Sequence, residues 1–323
     1  MTDKTLLAHF SALTDEEQEI LAGKPLDMSR YQSAASSAVV EGQKFLRQDR
    51  LITIRSHTRF TAFPLHRHDY VEMMYMLAGQ TVHEMESGET VVLQSGELIF
   101  INRYASHAIR ACGREDVAVN FIVQPGFFDF ALELVGPDNA LGRFLLDALR
   151  NGETSVPFLH FAVQQVQSVQ CLLQSMLYGF VEETSARRSI PRIEMGLLFL
   201  HLLSSSDRMR LSATVRSWNP LAVDLLNEIF LHYQSFDLAA FAAARNLSVS
   251  YVSRVCREAT GQTCTALLQK RRMEKARQLL MQSNMSIANI CAAVGYQNNS
   301  FFYRLFRETY HRSPRDMRGS HRT

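Results

Sequence analysis

Two stretches in the C-terminal third repeat one another, and this constrains the fold more than any other feature of the chain. They are "FDLAAFAAARNLSVSYVSRVCREATGQT" (236–263) and "MSIANICAAVGYQNNSFFYRLFRETYHRSP" (285–314). In each, a polar cap (Asp237 or Ser286) precedes a short, alanine-rich helix. A tight turn follows, Arg245-Asn246-Leu247 or Val294-Gly295-Tyr296, and then a second, amphipathic helix. Tyr251, Val252, Arg254, Val255, Arg257 and Glu258 match Phe301, Phe302, Arg304, Leu305, Arg307 and Glu308 at an offset of 50. Upstream the offset is 49, so the second turn is one residue longer. The pattern predicts two helix-turn-helix units. Alanines let the paired helices approach closely, and Asn246 or Gly295 can take the positive φ that such a turn often needs.

The second helix of each unit has two faces. Val252, Val255 and Cys256 form a buried stripe in one, and Phe302, Leu305 and Phe306 in the other. Ser250, Ser253, Arg254 and Arg257 lie on the opposite side, as do Asn299, Ser300, Tyr303, Arg304 and Arg307. Such residues can reach base edges and phosphates. Between the units, "TALLQKRRMEKARQLLMQS" (265–283) predicts a linking helix with Leu267, Leu268, Ala276, Leu279 and Leu280 on its apolar stripe. At 1.5 Å per residue it spans roughly 25–30 Å. It could hold two recognition helices about one DNA turn, roughly 34 Å, apart. Charge agrees with a polyanionic partner. Residues 214–323 carry 15 Lys+Arg against 7 Asp+Glu, whereas residues 1–213 carry 19 against 25.

Residues 220–319 resemble the DNA-binding domain of the AraC/XylS family of bacterial transcription regulators. The resemblance is carried by "LSVSYVSRVCREATGQT", "RRMEKARQLL" and "SIANICAAVGYQNNSFFYRLFRETYHRSPRDMR". It implies that the second helix of each unit enters one of two adjacent major grooves. Ser250, Ser253 and Arg254 would then read bases in the first unit, and Asn299, Ser300, Tyr303 and Arg304 in the second. Arg257, Lys270, Arg271 and Arg307 would touch phosphates, which position the protein without specifying sequence. Two residues depart from the family pattern: Cys256 stands where Phe is usual, and His311 where Gly is usual.

The N-terminal two thirds are organised differently. Residues 1–23 read as helical, with Thr14 and Glu17 as a capping box and Gly23 as a stop. Residues 33–38 are rich in Ser and Ala and suggest a loose connection. From about 45 to 125 the chain breaks into short strands, among them "RLITIRSH", "VEMMYML", "QTVHEM", "TVVLQ", "LIFIN" and "VAVNFIV". Strands this short and closely spaced predict a small barrel or sandwich. From 127 the pattern is helical again. "FAVQQVQSVQCLLQSMLYGFVEE" places Val163, Val166, Val169 or Gln170, Leu173 and Leu177 on one stripe, and "PRIEMGLLFLHLLSSS" follows it. This pair either forms a dimer surface or packs on its own barrel.

"PLHRHDYVEMMYMLAG" (64–79) resembles the first motif of the cupin family, with His66-x-His68, then Glu72 and Gly79. A second motif is weaker: Gly96, Asn102 in place of Pro, Tyr104 in place of Gly, then His107. Residues two apart on a strand face one side, so His66 and His68 point into the barrel together, with Glu72 on the same parity. With His107 they form a set suited to Fe, Mn, Ni or Zn. An enzyme would need the metal, an open coordination position and a substrate channel. A sensor needs only a pocket whose polar groups orient a ligand. The N-terminal domains of sugar-responsive AraC-type regulators also resemble this segment, which implies an effector pocket or a packed scaffold. The pocket residues expected are His66, His68, Glu72, Tyr75, Asn102, Tyr104 and His107. Phe63, Phe100 and Phe121 supply either stacking faces or core. A purely structural histidine network is the third reading. If a metal is bound, His66, His68, Glu72 and His107 hold it; no other cofactor is expected.

The expected fold is α+β. It comprises an N-terminal helical extension (1–44), a cupin-like β-barrel (45–126) and a helical dimerisation segment (127–211). A linker (212–219) and an all-α domain with two helix-turn-helix motifs (220–323) complete it. The expected function is a DNA-binding transcription regulator, not an enzyme, that acts as a homodimer on double-stranded promoter DNA. It would be an activator, with RNA polymerase as a further partner. A small polar effector, with a sugar as the first expectation, would bind the cupin domain. Two alternatives stay open: a metal-dependent cupin enzyme with an appended DNA-binding module, and a ligand-independent regulator controlled by a protein partner. The five cysteines form no C-x-x-C pair and suggest reduced thiols. The start of the chain is too polar for a signal peptide and no apolar run approaches about 20 residues, so a cytoplasmic protein with no membrane partner is expected.

Overall fold

The computed structural model describes residues 4–33, 38–46, 50–103, 105–136, 139–148, 156–182, 190–212 and 220–319. The chain divides into two compact units, Met1–Ser217 and Trp218–Thr323. Most of the expected loose connection at 33–38, and all but Ser212 of the expected linker, lie outside the described residues.

The first unit opens with two helices, α1 (Lys4–Ser11) and α2 (Asp15–Leu21), where one was expected. Thr14 is the reason for the break. Its side chain accepts from the Glu17 N–H at 3.2 Å, and the Glu17 carboxylate accepts from the Thr14 N–H at 2.9 Å. This reciprocal capping box begins a new helix there.

Among the described residues, nine strands follow: β1 (Val39–Val40), β2 (Ile52–Ser56), β3 (Phe63–His68), β4 (Val71–Ala78), β5 (Gln80–Met85), β6 (Thr90–Gln94), β7 (Leu98–Ile101), β8 (His107–Ile109) and β9 (Val117–Val123). Then come α3 (Asp129–Val135), α4 (Ala140–Ala148), β10 (Phe158–Phe161), α5 (Gln167–Val181), α6 (Ile190–Ser204) and β11 (Met209–Leu211). The strands form a five-stranded sheet, β1-β3-β8-β5-β6, and a six-stranded sheet, β11-β10-β7-β4-β9-β2. The segment expected to be wholly helical thus contributes two strands, β10 and β11. β10 pairs antiparallel with β7 and β11, so it extends the barrel past residue 126.

Strand alternation decides what enters the space between the sheets. On β4, Met74 and Met76 join Phe63, Val91, Leu93, Ile99, Ile101 and Ile122 in the apolar core. Tyr75 faces the opposite way, and its hydroxyl donates to Gln170 on α5 at 2.6 Å. Gly79, at φ +72°, turns β4 into β5; a Cβ there would lie 2.3 Å from the Asp116 carboxylate, so glycine is required twice over. Of the stripe expected along α5, Val163, Val169, Gln170, Leu173 and Leu177 are buried within their own unit, and Val166 is half-buried. Ile190, Ile193 and Leu197 of α6 are exposed.

The N-terminal helices are tied to the barrel by buried ionic bonds. Arg59 donates to Glu17 at 2.7 and 2.9 Å, and both side chains are almost fully buried. Glu16 accepts from Tyr31, Thr58 and Arg55 at 2.8–3.2 Å.

The second unit is helical: α7 (Pro220–Leu231), α8 (Leu238–Ala244), α9 (Val249–Thr260), α10 (Cys264–Gln282), α11 (Ile287–Ala293), α12 (Asn299–Tyr310) and α13 (Pro314–Gly319). The repeat is literal. Asp237 and Ser286 cap α8 and α11, and Ser248 and Asn298 cap α9 and α12, each through its side-chain oxygen. Asn246 at φ 55° and Gly295 at φ 85° take the left-handed conformation within the two turns. Among the described residues no helix is long and apolar enough to cross a membrane.

Candidate functional site

β3 and β8 bring His66 and His107 directly opposite one another in antiparallel register. Their Nε2 atoms are 3.1 Å apart. His68, two residues after His66, shares its face, and one nitrogen from each of the three rings lies within 4.8 Å of the others. Glu72, on the inward parity of β4, sets Oε2 at 3.8 Å from His107 Nε2 and 4.0 Å from His68 Nε2. The His66 Nδ1–H donates to the Pro64 carbonyl at 2.8 Å. A carbonyl can only accept, so the proton sits on Nδ1 and the Nε2 lone pair faces the cluster.

Burial sets the protonation states. It pushes His66 down to about 4 and His83 to about 3, and holds His68 and His107 well below the ordinary imidazole value. His57 also falls to about 4, from burial and then the nearby Arg55 cation. Burial lifts the Glu72 carboxyl to about 7, with Arg55 opposing. The rings are therefore neutral at neutral pH, the form that ligates metals.

The donor set fits a first-row divalent cation. Glu72 Oε2 is buried and has no hydrogen-bond partner among the described residues, while Oε1 accepts from Asn120 at 2.9 Å. An orphaned carboxylate oxygen beside two neutral imidazoles is costly unless a cation or water completes it. A cavity of about 30 Å³ adjoins the cluster, lined by Tyr31, Arg55, Thr58, His66, His68 and Glu72 among others. That volume suits an ion or one or two waters. Drug-sized ligands fill pockets of roughly 300–1,000 Å³.

Of the expected pocket residues, the structure brings together His66, His68, Glu72 and His107. Tyr75 is on the other face of β4, bonded to Gln170. Asn102 also lies elsewhere: its amide donates to the Phe144 and Val156 carbonyls at 3.1 and 3.3 Å. Tyr104 is outside the described residues. Phe63 lines the cavity, its ring centroid 4.4 Å from that of His66. Phe100 and Phe121 pack instead against Phe199 and Phe180. Sequence reasoning missed Asn120, His57 and His83. His83 bonds Thr81 at 3.1 Å, and its ring lies 5.5 Å from that of His107.

In the helical unit, Ser250, Arg254 and Arg257 of α9 are exposed, and so are Asn299, Ser300, Arg304 and Arg307 of α12; Ser253 and Tyr303 are half-buried. Arg271 corrects an expectation. It is wholly buried in α10, donates from Nε to the Phe230 carbonyl at 3.1 Å, and lies over the rings of Phe230 and Tyr233. Its stem lies one turn after buried Leu267, so it braces α7 against α10 and is no phosphate ligand. Lys270 beside it is half-buried.

Known proteins agree with both halves. The cupin domain family matches residues 58–123, and a helix-turn-helix domain family matches residues 241–320. The HTH-type transcriptional activator RhaR of Mannheimia succiniciproducens is 24% identical over 277 residues, covering 85% of this chain and 94% of that protein. The HTH-type transcriptional activator RhaS of Escherichia coli O139:H28 is 26% identical over 256 residues, 79% of this chain and 87% of that one. Among solved structures, the C-terminal domain of AraT, a response regulator from Geobacillus stearothermophilus, is 29% identical; it covers 32% of this chain and 88% of its own, with a TM-score of 0.31. A β-rich cupin domain followed by twin helix-turn-helix units defines a DNA-binding transcription regulator. The chain carries a cupin domain and an AraC-type helix-turn-helix domain, and it resembles activators of the AraC family.

Proposed function

We propose that this chain is a cytoplasmic transcription activator whose cupin domain is its sensory half. His66, His68, His107 and Glu72 would hold a divalent metal. Bound there, the ion would supply a Lewis-acid anchor for an oxygen-bearing effector. Arg55, Thr58 and Asn120 border the same cavity and offer further polar groups. The observation that carries this reading is the unpartnered Glu72 Oε2 facing two imidazoles. A sugar or other small polyol has the matching chemistry. It needs more room than about 30 Å³, so its entry requires displacement of lining side chains such as Tyr31.

Promoter binding would use α9 and α12. The 19 residues of α10, at 1.5 Å each, set them apart by about 28 Å along the linking helix, close to one turn of B-form DNA. Ile190, Ile193 and Leu197, at i, i+3 and i+7 of α6, form an exposed apolar stripe suited to a homodimer contact. As an activator bound at a promoter, the protein would contact RNA polymerase.

The test is footprinting on DNA flanking the chain's own gene, with purified protein, with and without Zn²⁺, Fe²⁺ or Mn²⁺ and a panel of sugars. Protection of a discrete site that changes with metal and sugar together supports the reading. Protection that no metal or sugar alters removes the sensory half, and absence of protection removes the regulator.

A further inference from the structure

The two recognition helices differ at their first residue. At the offset of 50 that relates the units, Val249 opens α9 and Asn299 opens α12. Both side chains are exposed, Val249 by 43%. Among the described residues of this unit, the large hydrophobic side chains that are exposed are Val249 and Tyr251. Tyr251 carries Arg254 over its ring at 5.3 Å. The local fold does not ask for a valine at 249. The helix cap comes from Ser248, whose hydroxyl accepts the Tyr251 N–H at 3.1 Å. A β-branched residue also adds nothing to helix propensity. At 100° per residue, Val249 lies one turn before Ser253 on the same flank of α9. The N-terminal residues of such a helix are the ones that reach base edges.

We propose that Val249 reads the 5-methyl group of a thymine in the major groove, where the second unit presents the amide of Asn299. This rests on the assignment of α9 as a DNA-reading helix. Thymine carries the one apolar group on the major-groove edge of the standard bases, whereas an amide pairs with the N6/N7 edge of adenine. An isopropyl group pressed on a polar edge would strip its water without replacing the hydrogen bond. The two halves of the operator are therefore chemically unlike, with a methyl contact at one and an amide contact at the other.

The experiment selects sites from a random-sequence duplex pool with the full-length protein, then replaces each thymine of the enriched site by uracil, which removes the methyl alone. One methyl taken from water is about 0.8 kcal/mol, so one replacement should weaken binding about fourfold. Val249→Ala should weaken binding to the parent site and be insensitive to that same uracil. Alanine is the best helix former, and the position is exposed, so the fold is retained. If no uracil weakens the parent protein, or if Val249→Ala keeps the full penalty, the methyl contact is wrong while DNA reading stands. If no sequence is enriched, base reading by α9 falls and the contact with it.

Discussion

Arg304 lies over the ring of Phe301, its guanidinium carbon 5.3 Å from the centroid, and Arg254 repeats the relationship over Tyr251 at the same 5.3 Å. An aromatic residue three positions earlier shares the arginine's face of the helix. Stacking on it restricts an otherwise mobile side chain, so less conformational entropy is lost when a base is engaged. Both arginines are otherwise exposed, and Arg254 has a second neighbour, Glu258, at 3.9 Å.

Arg304→Ala should therefore cost about 1–3 kcal/mol of discrimination at one base pair. Competition binding against operators altered one position at a time checks this. An equal loss on all sequences would make Arg304 a phosphate contact. Phe301→Ala should produce a weaker version of the same base-specific loss, because the guanidinium remains but is no longer held.

Arg257 and Arg271 should separate cleanly. Arg257 is exposed on α9, and Arg257→Ala should lower the slope of log affinity against log salt by about one unit. Arg271 is buried on the Phe230 carbonyl. Arg271→Ala should leave the slope intact and lower the melting temperature. Salt titrations beside thermal melts of both variants decide it, and a changed slope in Arg271→Ala would return that residue to the interface.

How much of this was legible depends on the range over which each feature acts. Caps, turns and repeat offsets are local, and Asp237 and Ser286 sit where the pattern put them. The inward parity of His66, His68 and Glu72 followed from strand alternation. The same rule excludes Tyr75, which is an odd number of residues from Glu72. It also points to Asn120, the lone polar residue of "VAVNFIV" and on the parity of core Ile122. Arg271 sits four residues after Leu267, on the buried stripe, so its place was readable behind the cationic look of "QKRR". β10 was hidden because a four-residue run, "FLHF", is too short to show a period of its own. The Glu17–Arg59 bond joins residues 42 apart and is purely tertiary.

Zinc or manganese added to metal-free protein should bind at one ion per chain, measured by elemental analysis, and raise the melting temperature. At a hundredfold excess over the dissociation constant the stabilisation is about 2.7 kcal/mol. His107→Ala and Glu72→Gln should each abolish the shift. If His107→Ala melts higher with metal as the parent does, the ion binds elsewhere and the cluster is a structural network.

Glu17 should make part of the stability acid-labile. Burial raises its pKa, but the Arg59 side chain and the backbone N–H groups of Thr14 and Arg59 outweigh that and hold it below the usual 4.5. A depressed folded-state pKa contributes stability above the unfolded value, and that contribution disappears as pH falls through the folded one. Unfolding titrations from pH 6 to 3 should show this loss in the parent. Glu17→Gln leaves Arg59 buried against a neutral amide and should cost about 3–5 kcal/mol at pH 7, with the gap narrowing in acid. A constant gap across that range would remove Glu17 from the acid response.

His311 ends α12 in the left-handed conformation at φ 54°, where its repeat counterpart Gly261 ends α9 at φ 70°. Each donates its N–H to a carbonyl one turn back, Arg307 and Arg257, both at 2.8 Å. The cap geometry is thus the same, but a side chain in that region costs about 1–2 kcal/mol that glycine does not. Glycine returns part of this through its greater freedom in the unfolded chain, roughly 0.5–1 kcal/mol. His311→Gly should therefore stabilise the helical unit by about 0.5–1 kcal/mol, read from denaturant unfolding, with no change in operator affinity. Destabilisation would mean that the imidazole makes a compensating contact worth more than the strain it imposes.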